Sequence, residues 1–595
     1  MPHMRLAQRL APPGRGRRSA AGASRVRGVL PTLLALLALS ACAPYASPAT
    51  SNAPAQQPAP AQSAPASNRP LIVVNLNEPV SLNARPLTET FISYFTVRQI
   101  FNSSLIVLDD KGLPRARLAE SVPQVNTDSW KVLPDGRMET TWKLKPNLTW
   151  HDGIPLEAED FVFAWRLYST PELGVAVAAP INAMEEITAP DPRTVVIRWK
   201  QLTAQGDQLE PDAFGPLPRH ILEDRFKQAE WDAIITHPFW KREFVGAGPF
   251  KLTNWEPGAF IEAEAFDRYV EGRPKISRLR IVFRSDVNAA LATMLAGEAD
   301  LAPDGVFNSV QEGAIRSDFV ATGRGSVLAH PGFWRMVRFQ ARPDLTTPRS
   351  LLDARVRKAL ASAVDMDTIN ESLYGGNALL ADTMIPKSDQ NYPLIDKAIT
   401  RYPFDLRKSE QFMADAGFRK GGDGIYASPA EGRFTADLRG TANMPDFPVV
   451  AVGWRQTGFD IQETLAPAAL NQDPEYRATF PGMNHFNSFL GERGAYDFTI
   501  REIPRPENRW TGGNRGGWSD TEYDQLAARL TTTLARNERG PIVAQMMKRW
   551  TDELPAIPMN FSTNVWAWVK DLQGPADTAA GSAVAWNIST WELRG

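Results

Sequence analysis

From Leu71 onward the chain switches repeatedly between two hydrophobic periods, and this interleaving restricts the fold more than any other feature. Leu71–Leu76 reads as a buried strand, while Thr140–Lys145 and Thr194–Trp199 alternate with the period of two expected when one face is covered. Helical spacing is interspersed. Asp286 can cap a segment that aligns Leu291, Met294 and Leu295 and stops at Gly297, and Asp353 opens one that turns Val356, Leu360, Ala363 and Val364 inward. A third starts near Asp405, buries Phe412, Met413 and Ala416, and ends at Gly417. Ser519–Glu522 has the form of a capping box ahead of Tyr523, Leu526 and Leu530, and Ile542–Leu554 presents Ile542, Met546 and Trp550 before Pro555. Strands mixed with helices throughout favour α/β lobes over an all-β sandwich or a helical bundle.

Such lobes must hold themselves together by packing, because the 595 residues include one cysteine. Disulfides within the chain, cysteine zinc sites and iron–sulfur clusters are thereby excluded. The lone thiol, Cys42, follows seven arginines within residues 1–27 and an apolar run from Val29 to Leu39. That run is too short for the ~20 residues of a membrane-spanning helix and reads as a secretory signal, residues 1–41. Leu39-Ser40-Ala41-Cys42 resembles a bacterial lipobox, which implies lipidation of the Cys42 sulfur and an exported protein moored to the cell membrane, facing the periplasm or cell exterior. Arg17-Arg18 lacks the apolar residues of a twin-arginine signal. Loss of the signal leaves 58 basic against 67 acidic residues, a net charge of −9, so nucleic acid is not an expected partner. Residues 42–69, with nine Ala, six Pro and four Ser from position 43 on, read as a tether.

The segment Leu118–Tyr168 contains Leu118-Ala-Glu-Ser121, a Pro134-Asp135-Gly136 turn, an alternating strand, then Trp150-His151-Asp152-Gly153 and a helix with Glu157, Glu159 and Asp160 at its start. This resembles family 5 of the ABC-transporter solute-binding proteins, the dipeptide, oligopeptide and nickel receptors. The similarity continues in order through Gly215–Ile221, Val245–Phe250, Asn254–Gly258, Tyr269–Lys275, Leu295–Asp300, Leu352–Leu360 with its paired arginines, and Asp405–Asp423. It implies an α/β fold of the periplasmic-binding-protein-like type II, in the cluster of large peptide-binding proteins, with two lobes, a hinge and a third smaller domain. By that layout, lobe I takes residues 70–115, 231–335 and 555–595, the small domain 116–230, and lobe II 336–554. The hinge crossings fall near His330–Phe339 and Leu554–Asn560. The expected partners are a peptide or peptide-like solute and the permease subunits of an importer, with the body a monomer. An oligosaccharide, an opine-like acid or a chelated metal is the alternative cargo.

No Gly-x-Ser-x-Gly, phosphate-loop or His-Glu-x-x-His motif occurs, so neither an enzyme nor a cofactor is expected. The six histidines are isolated, His151 reads as structural, and no metal site is expected. Gly512–Gly517 reads as a flexible turn, and the tryptophans as mostly core. Family receptors for peptides pair the ligand ammonium with an aspartate a few residues after a Tyr-Asp. Here Tyr496-Asp497 is followed by Arg501, Glu502, Arg505 and Trp510 instead. The arginines suit a carboxylate and Glu502 an ammonium. Phe333 and Trp334 stand where relatives carry cleft aromatics, and Asn102-Ser103 replaces a Glu-Gly of relatives. These eight residues are the expected solute contacts.

Overall fold

A computed structural model describes residues 69–594 except 86, 88–98, 174–179, 442–443, 472 and 580–581. The expected signal, Cys42 and the tether up to residue 68 therefore lie outside the described residues. Arg69, the last residue assigned to the tether, is fixed to the body: its guanidinium grips both carboxylate oxygens of Asp300 at 2.6 and 2.8 Å.

One eleven-stranded sheet organises the body. Across it run Asp460–Leu465, Thr435–Gly440, Met483–Ser488, Gly325–Phe339, Ala556–Val569, Leu301–Phe307, Leu71–Asn75, Arg278–Phe283, Phe260–Ala265 and Phe250–Glu256, with Leu379–Leu380 pairing to Ala556–Val569. The strands at Thr435, Asp460 and Met483 are mutually parallel, as are those at Leu71, Arg278 and Leu301. Within this sheet, among the described residues, the two halves are joined by the long antiparallel pair Gly325–Phe339 and Ala556–Val569. Side chains of a strand alternate between faces. Accordingly Val337 and Phe339 enter an apolar cluster with Leu360 and Trp454, whereas Trp334 and Met336 enter another with Phe498 and Trp550.

A separate four-stranded antiparallel sheet, ordered Trp130–Val132, Met138–Lys143, Thr194–Trp199, Met184–Asp191, carries helix Ala158–Tyr168 on one side. It shares its core with the first half of the large sheet, since one apolar cluster runs from Leu71 and Ile281 through Trp142 and Phe161 to Trp591. The family-like motifs are the joints of this region. Gly153 closes the Trp150 turn with its N–H on the Trp150 carbonyl, and Asp160 caps its own helix at Glu157 N–H, 2.9 Å. His220 and Asp152 meet at 2.7 Å. A Cβ on Gly246 would lie 2.0 Å from the Phe101 carbonyl oxygen, which explains why glycine occupies that strand entry.

His151 is locked between these pieces. Its Nδ1 accepts from Gly246 N–H at 3.1 Å, so Nε2 carries the proton and donates to the Gly248 carbonyl at 3.0 Å. Burial pushes the imidazole down to about 4. The neutral ring is thus favoured in the folded state, and its contribution is complete above the ordinary pKa of 6.5 and fades as pH falls towards 4. Over that window His151 should account for about 3 kcal/mol of lost stability. Urea unfolding of wild type and His151→Gln at successive pH values should show the gap between them closing as the solution is acidified. A constant gap would refute the assignment.

Two helix starts depart from the sequence expectation. The cap before Tyr523 is Asp520, which accepts from Tyr523 N–H at 2.8 Å, one residue after Ser519. Asp520 is also held by Arg549 at 2.6 Å, a partner the local pattern does not reveal. The following helix spans Arg536–Glu553 and carries Pro541 inside it. Its first turns are held by Arg539, which donates to the Leu530 and Thr533 carbonyls at 2.8 and 2.9 Å. The glycine stretch 512–517 is also no flexible turn: a Cβ on Gly513 would lie 2.3 Å from Asp497 Oδ1, and one on Gly516 2.3 Å from the Phe339 carbonyl. Buried Asn514 ties it down, donating to the Phe498, Thr499 and Trp518 carbonyls. Close approach, not looseness, is what glycine supplies there.

Candidate functional site

Open α/β sheets offer ligand sites beyond the carboxyl ends of their parallel strands. The register shows where the two sets of ends meet the crossing pair. Phe307, ending one set, pairs with Val565, and Ala329 pairs with the same Val565. Ser488, ending the other, pairs with Trp334, which pairs with Phe561. The gap between the ends is therefore spanned by His330–Phe333 and Ser562–Asn564. Here the regular ladder breaks, with register shifts between Pro331 and Trp334 and between Trp334 and Met336. Such irregularities bend a strand and redirect its side chains.

Phe333 stands at this break. Ser562 Oγ accepts from its N–H at 2.8 Å and donates to its carbonyl at 3.1 Å. The ring remains 37% exposed, tilted against Phe489 with centroids 5.9 Å apart. Arg493 lies over the other ring, its guanidinium carbon 3.4 Å from the Phe489 centroid.

Below Phe333 the crossing strand directs Arg335 into a buried polar network. Arg335 Nη1 donates to the Tyr374 hydroxyl at 2.9 Å and reaches Asp446 Oδ1 at 3.4 Å, and Asp446 Oδ2 meets His485 Nε2 at 3.2 Å. Asp446 and His485 are wholly buried. Burial works to raise the Asp446 carboxyl, but the His485 hydrogen bond and the Arg335 charge prevail and hold it below the ordinary range. Burial pushes the Tyr374 hydroxyl up to about 12. Arg335 Nε, Asn487 Oδ1 and Asn560 Oδ1 are buried polar atoms without a protein hydrogen-bond partner among the described residues. Asn487 is the register partner of Arg335. Polar groups of this kind are rarely left unpaired and give the site unused hydrogen-bonding capacity.

The expected contacts divide by location. Phe333 lies at the strand break and Trp334 directly behind it, fully buried between Phe498 and Trp550 at 6.0 and 5.6 Å. Asn102 and Ser103 are buried elsewhere, Asn102 donating to the Leu82 carbonyl at 2.6 Å and Ser103 lying by Tyr269. Arg501, Glu502, Arg505 and Trp510 belong to a compact loop: Arg501 and Arg505 are exposed, Trp510 is half-buried, and Glu502 Oε2 accepts from Gly513 N–H at 3.3 Å. Sequence reasoning missed Tyr374, Asp446, His485 and Phe489. Among the described residues no group of three or more His, Cys, Asp or Glu side chains could hold a metal ion, and no helix is long and apolar enough to cross a membrane.

The family described as bacterial extracellular solute-binding proteins, family 5 middle, matches residues 120–486. A Brucella ovis protein provisionally described as an ABC transporter peptide-binding protein is 28% identical over 342 residues, 57% of this chain and 58% of its own length. The match thus spans under two thirds of that relative. The oligopeptide-binding protein AppA of Bacillus subtilis is 25% identical over 360 residues, 60% of this chain and 61% of that one. Among solved structures, AppA of Bacillus subtilis in complex with a nonapeptide superposes with a TM-score of 0.64 at 21% identity, covering 89% of this chain and 99% of that one. HbpA2 of Haemophilus parasuis gives a TM-score of 0.70 at 18% identity, covering 88% and 100%. These likenesses establish the type II binding-protein fold.

Proposed function

The chain belongs to the bacterial extracellular solute-binding proteins of family 5, and on that premise we propose that it captures a peptide or peptide-like solute for an ABC importer. The solute enters the gap between the strand ends and the two halves close on it about the Gly325–Phe339 and Ala556–Val569 crossing. The observation that carries this reading is the broken register at Pro331–Met336, placed in the pair of strands that joins the two halves of the sheet. Phe333, Phe489 and the unpaired atoms of Arg335, Asn487 and Asn560 form the first contacts. The names of the relatives support a peptide cargo. The division into lobe I, small domain and lobe II at the boundaries given above, export, a lipid on Cys42 and delivery of the solute unchanged to permease subunits complete the proposal.

Closure requires that the solute bind the shut form better than the open one. Small-angle scattering of the body, residues 70–595, should give a smaller radius of gyration with a bound peptide than without. Mass spectrometry should recover that peptide intact. An unaltered scattering profile at saturation, or cleavage of the peptide, rejects the reading.

A further inference from the structure

Behind the strand end at Ser488 lies a group of arginines with too few acids. Arg477 and Arg515 share one aromatic ring: both guanidinium carbons lie over Phe486, 4.8 and 4.9 Å from its centroid. Arg493 covers Phe489, and Arg338, on the crossing strand, is buried over Phe498 with Nη1 on the Gly513 carbonyl at 2.9 Å. Among the described residues the guanidiniums of Arg477, Arg493 and Arg515 make neither a hydrogen bond nor an ion pair, and Arg477 Nε is buried without a partner.

Two carboxylates lie nearby, and both are committed. Asp497 accepts from Ser488 Oγ at 2.6 Å and is pushed up by burial, and Glu502 accepts from Gly513 N–H at 3.3 Å. Burial, then repulsion from Arg477 and Arg338, push the Arg515 guanidinium down to about 9. Burial pushes Arg338 down to about 10, again with Arg477 opposing its charge. Arg477 and Arg515 are half-buried and Arg493 is exposed; half-buried cations that lack partners are costly, and an arriving anion would recover that cost. A guanidinium fork is shaped for carboxylate or phosphate oxygens, and the Phe486 and Phe489 rings hold the forks in place.

We propose that Arg477, Arg515 and Arg493, backed by Arg338, form a subsite for an anionic group carried by the solute, a carboxylate or a phosphate beyond any terminal carboxylate. The subsite rests on the receptor reading above and narrows its cargo to acidic solutes.

The test is calorimetric titration of the wild-type body with matched tripeptides, Ala-Glu-Ala against Ala-Gln-Ala and Ala-phosphoserine-Ala against Ala-Ser-Ala. A thermal shift with inorganic phosphate runs in parallel. The acidic member should bind at least about tenfold tighter, and the pair with the larger ratio identifies carboxylate or phosphate as the source. The preference and the phosphate shift should vanish in Arg477→Gln/Arg515→Gln and weaken in Arg493→Gln, whose side chain is exposed. Binding of all peptides without preference, or a preference that survives both variants, overturns the subsite and leaves the receptor reading standing. A phosphate shift lost in the variants, with no peptide bound, keeps the subsite and rejects peptide cargo. No binding and no shift reject both.

Discussion

Replacing Arg357 with methionine should lower the unfolding free energy by about 4 kcal/mol. This side chain comes from helix Ala354–Ser362 and is buried. It donates to four backbone carbonyls: Leu351 at 3.0 Å, Leu352 at 2.8 Å, Glu553 at 2.6 Å and Leu554 at 3.1 Å. The nearest carboxylate oxygen, on Glu553, is at 4.0 Å, so its main task is capping rather than pairing. Helix Arg536–Glu553 ends at Leu554 in the left-handed region, φ 48°, and the chain enters the crossing strand two residues later. Carbonyls at a helix end need partners, and here one guanidinium serves both that end and the turn before its own helix. Burial pushes Arg357 down to about 10, which leaves it charged at neutral pH. Methionine keeps most of the volume and supplies no donor. Lysine supplies one nitrogen, which cannot reach both chain segments, and should restore less than half of the loss. Urea unfolding with m-values decides the matter: a loss under about 1 kcal/mol for the methionine variant would show that water or backbone adjustment serves these carbonyls instead.

The paired arginines at 355 and 357 were visible in the sequence as a family pattern, but the reason for the second one was not, because its acceptors at 553 and 554 are remote in the chain. The same distinction separates what was legible from what was not throughout the molecule. Local signals sufficed for the strands at Leu71 and Thr194, for the one expected at Thr140–Lys145 and found at Met138–Lys143, and for the helices capped by Asp286, Asp353 and Asp405, where periodicity and cap chemistry lie within a few residues. Ser519 and Asp520 are both competent caps, and what favours the aspartate is Arg549, one helix away. The glycine-rich stretch 512–517 carries the same letters as a loose loop, and only the arrival of Asp497, Glu502 and Phe339 against its glycines reveals a packed strut. Phe333 could be placed from the resemblance. Arg335 follows it in the same stretch, but Tyr374, Asp446 and His485 could not be placed, since they come from the end of one helix, the start of another and a separate strand with no common spacing.

That network should also respond strongly to a single change. Asp446→Ala is expected to cost about 3 to 5 kcal/mol at neutral pH, because it strands Arg335 and His485 in a buried setting without their shared acid. The carboxylate also opens helix Asp446–Thr457, where the helix dipole favours a negative charge. Its pKa is depressed in the folded state, so its contribution is complete above the ordinary value of 3.8 and disappears as pH falls through the folded value. The difference between wild type and variant should hold steady from neutral pH to about 4 and shrink only below that. This separates it from the His151 effect, which is spent by then and cancels in the difference. Asp446→Asn keeps the shape and one acceptor oxygen while removing the charge, so a smaller loss in Asn than in Ala would assign the remainder to geometry. Solute affinity supplies the second readout. Arg335 lies next to the strand break, and without Asp446 only the Tyr374 hydroxyl holds it, so both variants should weaken peptide binding by about tenfold or more even where they remain folded. Undiminished affinity in a folded Asp446→Ala protein would confine the network to a role in stability, and the solute contacts would then have to come from Phe333, Phe489 and the loop beyond Ser488.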